Sequence, residues 1–123
     1  MILVDTSVWI DFFRGSSACR RLAGLLEENE ILIHPWVIGE LALGHLGRQR
    51  DAIMADLFRL PTLPLLANDE ILQMIDAQSL AGQGIGWVDA HLLGSALVAG
   101  AQLWTRDRRL ARVASAIGIC PVP

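Results

Sequence analysis

The sequence predicts an α/β fold in which helices cover both faces of a parallel sheet. Short apolar runs at residues 2–4, 31–33 and 102–105 have the length and composition of buried strands. Between them lie longer segments with apolar residues three and four positions apart, as in amphipathic helices. Strands that alternate with helices form parallel sheets, because each crossover returns the chain to the same edge. The length of 123 residues fits one domain, 1–123.

The first half of the chain is predicted to begin with a strand that ends at Asp5. Thr6 or Ser7 then offers an N-cap for a helix that ends at Gly15. Pro35 suits the first turn of a later helix. The predicted elements of this half are strand 2–4, a helix ending at Gly15, helix 17–29, strand 31–33, a helix from Pro35 to Gly44, and helix 51–59.

The second half contains two irregular connections. Pro61 and Pro64 mark the first, and Gly82, Gly84 and Gly86 form a loop at the second. No strand precedes this loop, so its glycines are not a dinucleotide-binding fingerprint. The predicted elements of this half are helix 68–81, helix 88–99, strand 102–105, helix 106–117 and a further strand at 119–122.

The charged residues exclude several kinds of enzyme. All ten basic residues are arginines, because the chain contains no lysine. Schiff-base enzymes, P-loop proteins and receiver-type phosphoacceptor domains need a lysine and are therefore excluded. The net charge of −3 is unexpected for a protein that binds nucleic acid. The conflict is resolved if several acids gather in one place and metal ions neutralise them.

No targeting or membrane-spanning segment is recognisable. Residues 1–11 lack the basic start of a secretory signal. The longest uncharged stretch, 90–105, is interrupted by Gly100 and falls short of the roughly 18 apolar residues that a spanning helix needs. We therefore expect a soluble cytoplasmic protein that has no contact with a membrane.

Four acids are the candidate catalytic and metal-binding residues. Asp5 and Asp107 each follow an apolar strand, and open α/β sheets bind ligands beyond the carboxyl ends of their strands. Glu40 lies four residues after Trp36, which places a carboxylate on an apolar helix face at a cost in free energy. Asp89 begins a helix and can point out of the same crevice.

Each of these acids also has a structural alternative. Asp5, Asp89 and Asp107 suit helix N-caps, and Glu40 suits a partly exposed helix position. If the four converge, like charges within about 4–6 Å raise one another's pKa, and the cluster needs a cation. Carboxylate oxygens favour Mg²⁺, Mn²⁺ or Ca²⁺ over zinc. Such a site suits phosphodiester hydrolysis, because a bound metal activates water and stabilises a leaving oxygen.

Four segments of the sequence resemble the PIN-domain family, and in particular the VapC-type toxins of bacterial toxin–antitoxin pairs. These segments are Val4–Asp11, Val37–Ala42, Trp87–Ala90 and Leu103–Arg108. They occur in the family's order and at its spacing over nearly the whole chain. The resemblance implies a three-layer α/β/α sandwich with a parallel sheet of about five strands. It also matches Asp5, Glu40, Asp89 and Asp107 to the family's four acidic residues.

The same resemblance implies an endoribonuclease that depends on Mg²⁺ or Mn²⁺ and inhibits translation by cleaving tRNA or another structured RNA. Thr6 or Ser7 matches a residue that supports the first acid, and Thr105 matches one beside the last acid. Such toxins form homodimers and are silenced by a VapB-type antitoxin whose C-terminal segment covers the active site. The chain departs from many relatives at Arg109, where they carry a further acid, and at His91, where they carry a small or aliphatic residue.

Three arginines are candidate RNA contacts, and two other functions compete with the nuclease. Arg106, Arg109 and Arg112 can bind phosphates, although a solvated helix face or an antitoxin contact is the alternative.

A phosphatase with an aspartyl intermediate needs a lysine, and Ser7 occupies the place of its second aspartate. The remaining alternative is a non-catalytic PIN-like binding module.

Overall fold

A computed structural model describes residues 1–123 and has an α/β architecture around a parallel sheet. Its strands are β1 (Ile2–Val4), β2 (Ile31–Leu32) and β3 (Gln102–Trp104). β1 is central, and it pairs in parallel with β2 on one side and with β3 on the other. The three carboxyl ends therefore meet at one edge of the sheet, where open α/β folds place their ligands.

Seven α-helices connect and surround the strands. They are α1 (Thr6–Phe13), α2 (Leu22–Glu27), α3 (Pro35–Leu43), α4 (Arg50–Arg59), α5 (Asn68–Ala77), α6 (Trp87–Ala99) and α7 (Arg108–Ala116), with 3₁₀ turns at Ser17–Cys19 and Gly47–Gln49. The parallel sheet with helices around it confirms the predicted fold class. None of these helices combines the length and the apolar character needed to cross a bilayer.

A single core cluster of 26 buried residues surrounds the sheet. All three residues of β1 are buried, which explains why this strand is an unbroken apolar run rather than an alternating pattern. Trp9 of α1, Val37 of α3 and Leu110 of α7 pack into the same cluster. The three helices that follow the strand ends are thereby fixed relative to one another.

The sheet has three strands, so the expectation of about five is wrong. Two further segments reach the sheet, but each makes only an isolated bridge: Thr62 with Ile33, and Pro121 with Leu103. Prolines occupy positions 61, 64, 121 and 123 of these segments. Proline has no backbone N–H to donate, so neither segment extends its bridge into a ladder. The strand predicted at 119–122 is reduced to the second of these bridges.

The predicted helix over residues 17–29 is divided in the structure. A 3₁₀ turn at Ser17–Cys19 precedes α2, and Cys19 is buried while Ala18 is exposed. A 3₁₀ turn has three residues per turn, so its buried positions depart from the α-helical stripe that predicted Ala18 as a core residue. Helix α5 also ends at Ala77 rather than at residue 81, and Ser79 follows it with a positive φ of 56°.

Gly94 marks a close approach of α6 to α5. A β-carbon at this position would lie 2.7 Å from Cδ1 of Ile71 and 3.4 Å from Met74 Sδ. We predict that Gly94→Val lowers the free energy of unfolding by about 2–3 kcal/mol through overpacking. Gly24→Val in α2 is the matched control, because nothing lies within 4 Å of its β-carbon position. Urea unfolding should show the control within about 0.5 kcal/mol of wild type, and equal losses would contradict this packing.

Candidate active site

Asp5 lies at the carboxyl end of β1, and three donors hold its buried carboxylate. Oδ1 accepts the backbone N–H of Thr6 at 2.7 Å, and Oδ2 accepts the hydroxyls of Ser7 at 2.8 Å and Thr105 at 2.7 Å. Asp5 is therefore the N-cap of α1, and the prediction that Thr6 or Ser7 caps this helix is wrong. The hydroxyls instead orient Asp5 from two directions.

The two hydroxyls that bind Asp5 also bind the segment after β3. Ser7 Oγ accepts the backbone N–H of Arg106 at 3.0 Å, and Thr105 Oγ1 accepts that of Asp107, also at 3.0 Å. One hydrogen-bonded network thus joins the ends of β1 and β3. It determines where the chain turns into α7, and so where Asp107 lies relative to Asp5.

Glu40 is connected to the same network from α3. Thr6 Oγ1 donates to Glu40 Oε1 at 2.6 Å, which joins the first turn of α1 to the middle of α3. Val37 and Leu41 form the buried face of α3, whereas Glu40 is exposed. The expectation that Glu40 lies on the apolar face is therefore wrong, since its carboxylate reaches water as well as α1.

Asp107 and Asp89 each use one carboxylate oxygen to accept backbone N–H groups at the start of a helix. Asp107 is the N-cap of α7, and its Oδ1 accepts the N–H groups of Arg109 at 2.9 Å and Leu110 at 3.2 Å. Asp89 is the third residue of α6, and its Oδ2 accepts the N–H of Gly86 at 3.0 Å. The alternative of a helix N-cap is therefore confirmed for Asp107, whereas Gly86 is the N-cap of α6 and Asp89 binds its N–H from within the first turn. The second oxygen of each carboxylate makes no hydrogen bond within the protein.

The charges of the four acids meet at Asp89. Burial raises the pKa of the Asp89 carboxyl, the Gly86 N–H partly opposes this, and the negative charges of Asp5, Asp107 and Glu40 raise the pKa further. The other three acids are therefore near enough to Asp89, at the carboxyl edge of the sheet, for their charges to disfavour its ionised form.

The four acids do not form a ready-made metal cage in this conformation. No three of the chain's Asp, Glu, His and Cys side chains are placed so that they could hold one ion together. Hydrogen bonds within the protein already occupy both oxygens of Asp5. One oxygen each of Glu40, Asp89 and Asp107 remains without a protein partner and is available to an ion or to water.

The candidate RNA-binding arginines differ in the contacts that their side chains already make within the protein. Arg106 Nε lies 3.0 Å from Asp11 Oδ2 in an ion pair. Arg109 Nη1 donates to the carbonyl of Gly84 at 3.3 Å. Gly84 has a φ of +78°, and a β-carbon there would overlap the Arg109 guanidinium. Arg112 is exposed on α7. Arg109 and Arg112 are thus freer to meet a phosphate than Arg106.

Two histidines that the sequence left without a role are buried beside the acids. His34 Nδ1 accepts the N–H of Trp36 at 3.0 Å and so caps α3. Burial and the neighbouring His91 lower the pKa of His34 to about 4. His91 packs against Trp36 and Trp87, with ring centroids 4.0 and 4.9 Å apart. The spacing of Trp87 and His91, four residues on one helix, is the signal that could have predicted this cluster.

Comparison with known proteins identifies relatives over nearly the whole chain. Residues 2–116 match the profile of the PIN domain. The chain is 49% identical over 120 residues to Ribonuclease VapC32 of Mycobacterium tuberculosis, both in strain CDC 1551 and in strain H37Rv. This alignment covers 97% of the chain and 94% of the relative.

Solved structures share the fold at much lower identity. PAE2754 from Pyrobaculum aerophilum superposes with a TM-score of 0.68 at 18% identity, covering 98% of this chain and 88% of that one. FitAcB from Neisseria gonorrhoeae superposes with a TM-score of 0.68 at 17% identity, covering 100% and 97%. At such identities the likeness concerns the fold.

We predict that the free energy of unfolding falls as the pH is lowered from about 6.5 to 4, because His34 is buried in its neutral form. The folded protein keeps His34 neutral to about pH 4, whereas the unfolded chain binds the proton near pH 6.5. The unfolded state therefore binds more protons in this window, and up to about 3 kcal/mol of stability is lost across it. His34→Asn, which retains a capping acceptor, should flatten the profile of unfolding free energy against pH. His45→Asn, at an exposed position, is the control and should leave that profile unchanged. Equal slopes of unfolding free energy against pH for wild type and both variants would refute the assignment.

The two roles of Asp107 can be separated by substitution. Asp107→Asn preserves an N-cap acceptor, so we predict a change in unfolding free energy below about 0.5 kcal/mol. Asp107→Ala removes the acceptor for Arg109 and Leu110 and should cost about 1 kcal/mol. Thermal unfolding without divalent ions measures both. Equal unfolding free energies for Asp107→Asn and Asp107→Ala would show that an N-cap acceptor at this position does not contribute to stability.

Proposed function

Because this chain belongs to the PIN-domain family and is a VapC-type member of it, we propose that it is the endoribonuclease toxin of a type II toxin–antitoxin system. The relative that is 49% identical is itself named a ribonuclease. The observation that carries the proposal is the meeting of four carboxylates at one sheet edge, where three of them raise the pKa of Asp89. Such a concentration of negative charge calls for a divalent cation.

The donor set suits Mg²⁺ or Mn²⁺. Oxygen ligands favour these hard cations over zinc, and the site offers carboxylate oxygens without a cysteine. Mg²⁺ keeps several of its waters and is commonly bound by only one or two carboxylates. The lack of three converging ligands is therefore compatible with an ion held partly through water. Asp5, Glu40 and Asp89 would hold the first ion, and Asp107 would help to position a second ion or the attacking water.

The residues around the acids prepare the site for phosphodiester hydrolysis. When bound, the divalent ion supplies an activated water and stabilises charge on the leaving oxygen. Ser7 and Thr105 keep the Asp5 carboxylate in one orientation, and Thr6 orients Glu40. In-line attack of water at phosphorus would leave a 5′-phosphate and a 3′-hydroxyl. Preorientation of this kind lowers the barrier because the groups need not be ordered during the reaction.

Binding of RNA would add contacts outside the acids. Arg109 and Arg112 lie on α7, the helix that Asp107 begins, and their guanidinium groups can bind phosphates on either side of the scissile one. Arg106 would join them if its ion pair with Asp11 opens. In the proposed function the substrate is tRNA or another structured RNA, and its cleavage inhibits translation in the cytoplasm.

A cognate VapB-type antitoxin and a second copy of the chain are the proposed partners. Large apolar side chains are exposed at several places, among them Leu43 at 91%, Val98 at 75% and Phe58 at 68% exposure. Exposed apolar surface is commonly covered by a partner. We propose that a homodimer forms and that the C-terminal segment of the antitoxin covers the acids, as the family resemblance implies.

A non-catalytic PIN-like binding module is the second candidate. The lack of three side chains in position to share an ion is what such a module would show. The two functions differ in what the acids do, because a binding module needs neither a divalent ion nor all four charges. They can therefore be separated by cleavage assays.

We predict that Asp5→Asn, Glu40→Gln and Asp89→Asn each lower the rate of RNA cleavage by at least about a hundredfold, because each removes a metal ligand. Asp76→Asn, an exposed acid on α5, is the matched control and should cleave at the wild-type rate. The measurement is cleavage of end-labelled cellular RNA with Mg²⁺, with Mn²⁺ and with a chelator. Asp5→Asn should also lower the unfolding free energy without divalent ions by about 1 kcal/mol, because an amide nitrogen cannot accept the hydrogen bonds that one Asp5 oxygen receives. Cleavage by all variants alike, or cleavage in chelator, would reject the assignment, and no cleavage by wild type of any RNA would favour the binding module.

A further inference from the structure

A small apolar cavity lies beside the first turn of α6, outside the acid site. Its volume is about 210 Å³, and six of its eight lining residues are hydrophobic. The wall includes Ile75, Leu80, Trp87 and Ala90, with Gly82 and Gly86 at the loop. Pockets for whole small ligands measure roughly 300–1,000 Å³, so this cavity suits a smaller planar group.

Trp87 forms the aromatic wall of the cavity and is held from behind. Trp87 is 38% exposed, although large aromatic residues usually bury most of their surface. The buried His91 ring meets it edge to face, with centroids 4.9 Å apart and an interplanar angle of 81°. His91 in turn packs against Trp36, and neither of its ring nitrogens has a hydrogen-bond partner. The imidazole thus serves as packing that fixes the Trp87 ring while leaving part of it open.

The loop at the rim of the cavity offers free backbone donors. The N–H groups of Ala81, Gly82 and Ile85 make no hydrogen bond within the protein. Gly82 has a φ of +78°, a conformation that suits glycine and lets backbone approach a ligand closely. An aromatic wall together with unpaired N–H groups matches a group with a flat π-face and hydrogen-bonding edges.

The cavity is adjacent to Asp89 and to Arg109, an arginine that makes no ion pair with an acid of the protein. Gly86, which lines it, donates its N–H to Asp89, and Ala90 directly follows that acid. Arg109 binds the carbonyl of Gly84 in the same loop. A nucleotide could therefore place its base in the cavity while its phosphates lie between Arg109 and the acids.

We propose that the cavity bounded by Trp87 and the loop 81–86 is a nucleobase subsite, which receives one unpaired base next to the scissile phosphate. Unpaired bases in RNA are recognised by stacking on aromatic side chains and by hydrogen bonds to their edges. The inference rests on the proposed ribonuclease function. It predicts that the enzyme selects a single-stranded position in a loop or bulge of the RNA. Trp87 is then a residue that contacts substrate, and His91 is a positioning residue behind it.

The test compares nucleotides with a baseless analogue and does not require cleavage. ¹⁵N-labelled protein is titrated with AMP, CMP, GMP, UMP and ribose 5-phosphate, each with and without Mg²⁺, and the Trp87 indole and the loop amides are followed by NMR. At least one nucleotide should shift these signals, and ribose 5-phosphate should leave the indole unchanged. Stacking on an aromatic ring is worth about 1–3 kcal/mol, so Trp87→Ala should weaken that binding at least about fivefold. Trp87→Phe should retain most of it.

Phe58→Ala is the matched control, because Phe58 is an exposed aromatic residue on α4, away from the cavity. Thermal unfolding confirms that each variant is folded, and Trp87→Leu, which keeps an apolar side chain without a π-face and should weaken binding to a similar extent, replaces the alanine variant if that one does not fold. Binding that is equal for nucleotides and ribose 5-phosphate, or unchanged in Trp87→Ala, would overturn the subsite. A separate titration with an apolar peptide tests for a protein partner. If that peptide shifts the Trp87 indole signal and no nucleotide does, the subsite is overturned. If wild type cleaves RNA while no nucleotide shifts the indole, the subsite fails and the ribonuclease function stands.

Discussion

The hydrogen bonds around the Asp5 carboxylate are the constraint on which the rest of the site depends. Three donors fix this side chain at the end of β1, and the hydroxyls that supply two of them also bind the chain after β3. A third hydroxyl, that of Thr6, carries the connection to Glu40 on α3. Residues far apart in sequence are thereby held at one edge of the sheet, and small polar residues rather than the acids themselves determine the spacing.

The arrangement has an electrostatic cost that the fold alone does not relieve. Burial and three neighbouring negative charges disfavour the ionised form of Asp89, and the arginines are directed elsewhere. Asp5, Asp89 and Asp107 also bind N–H groups at helix starts, and Glu40 accepts the Thr6 hydroxyl, so that hydrogen bonds within the protein hold all four side chains in place. Asp89 and Asp107 each bind a helix start through one oxygen and leave the other without a protein partner, so that loss of stability and loss of activity can be measured separately at these two acids.

The sequence predicted the fold class and the positions of Asp5 and Asp107 after strands, because both depend on short-range patterns. Apolar runs followed by Asp5 or Asp107 locate strand ends, and the order of strands and helices determines that these ends meet. Features that depend on long-range packing could not be predicted. The exposure of Glu40 and the pairing of Arg106 with Asp11 depend on how neighbouring helices pack. The structure has fewer strands than the resemblance implies, and the segments at Thr62 and Pro121, which contain or adjoin prolines, make only isolated bridges. The Trp87 cavity is formed by α5, α6 and the loop between them, and no local pattern indicates it.

The most direct test of the convergence of charge is anomalous diffraction from crystals soaked in Mn²⁺. The proposed site predicts an anomalous peak at the carboxyl edge of the sheet, within about 2.6 Å of oxygens from at least one of Asp5, Glu40 and Asp89, with water completing the coordination. The Glu40 and Asp89 oxygens that lack protein partners should turn toward the ion. No peak at this edge at saturating Mn²⁺, or a peak only at a surface acid such as Asp76, would contradict the account.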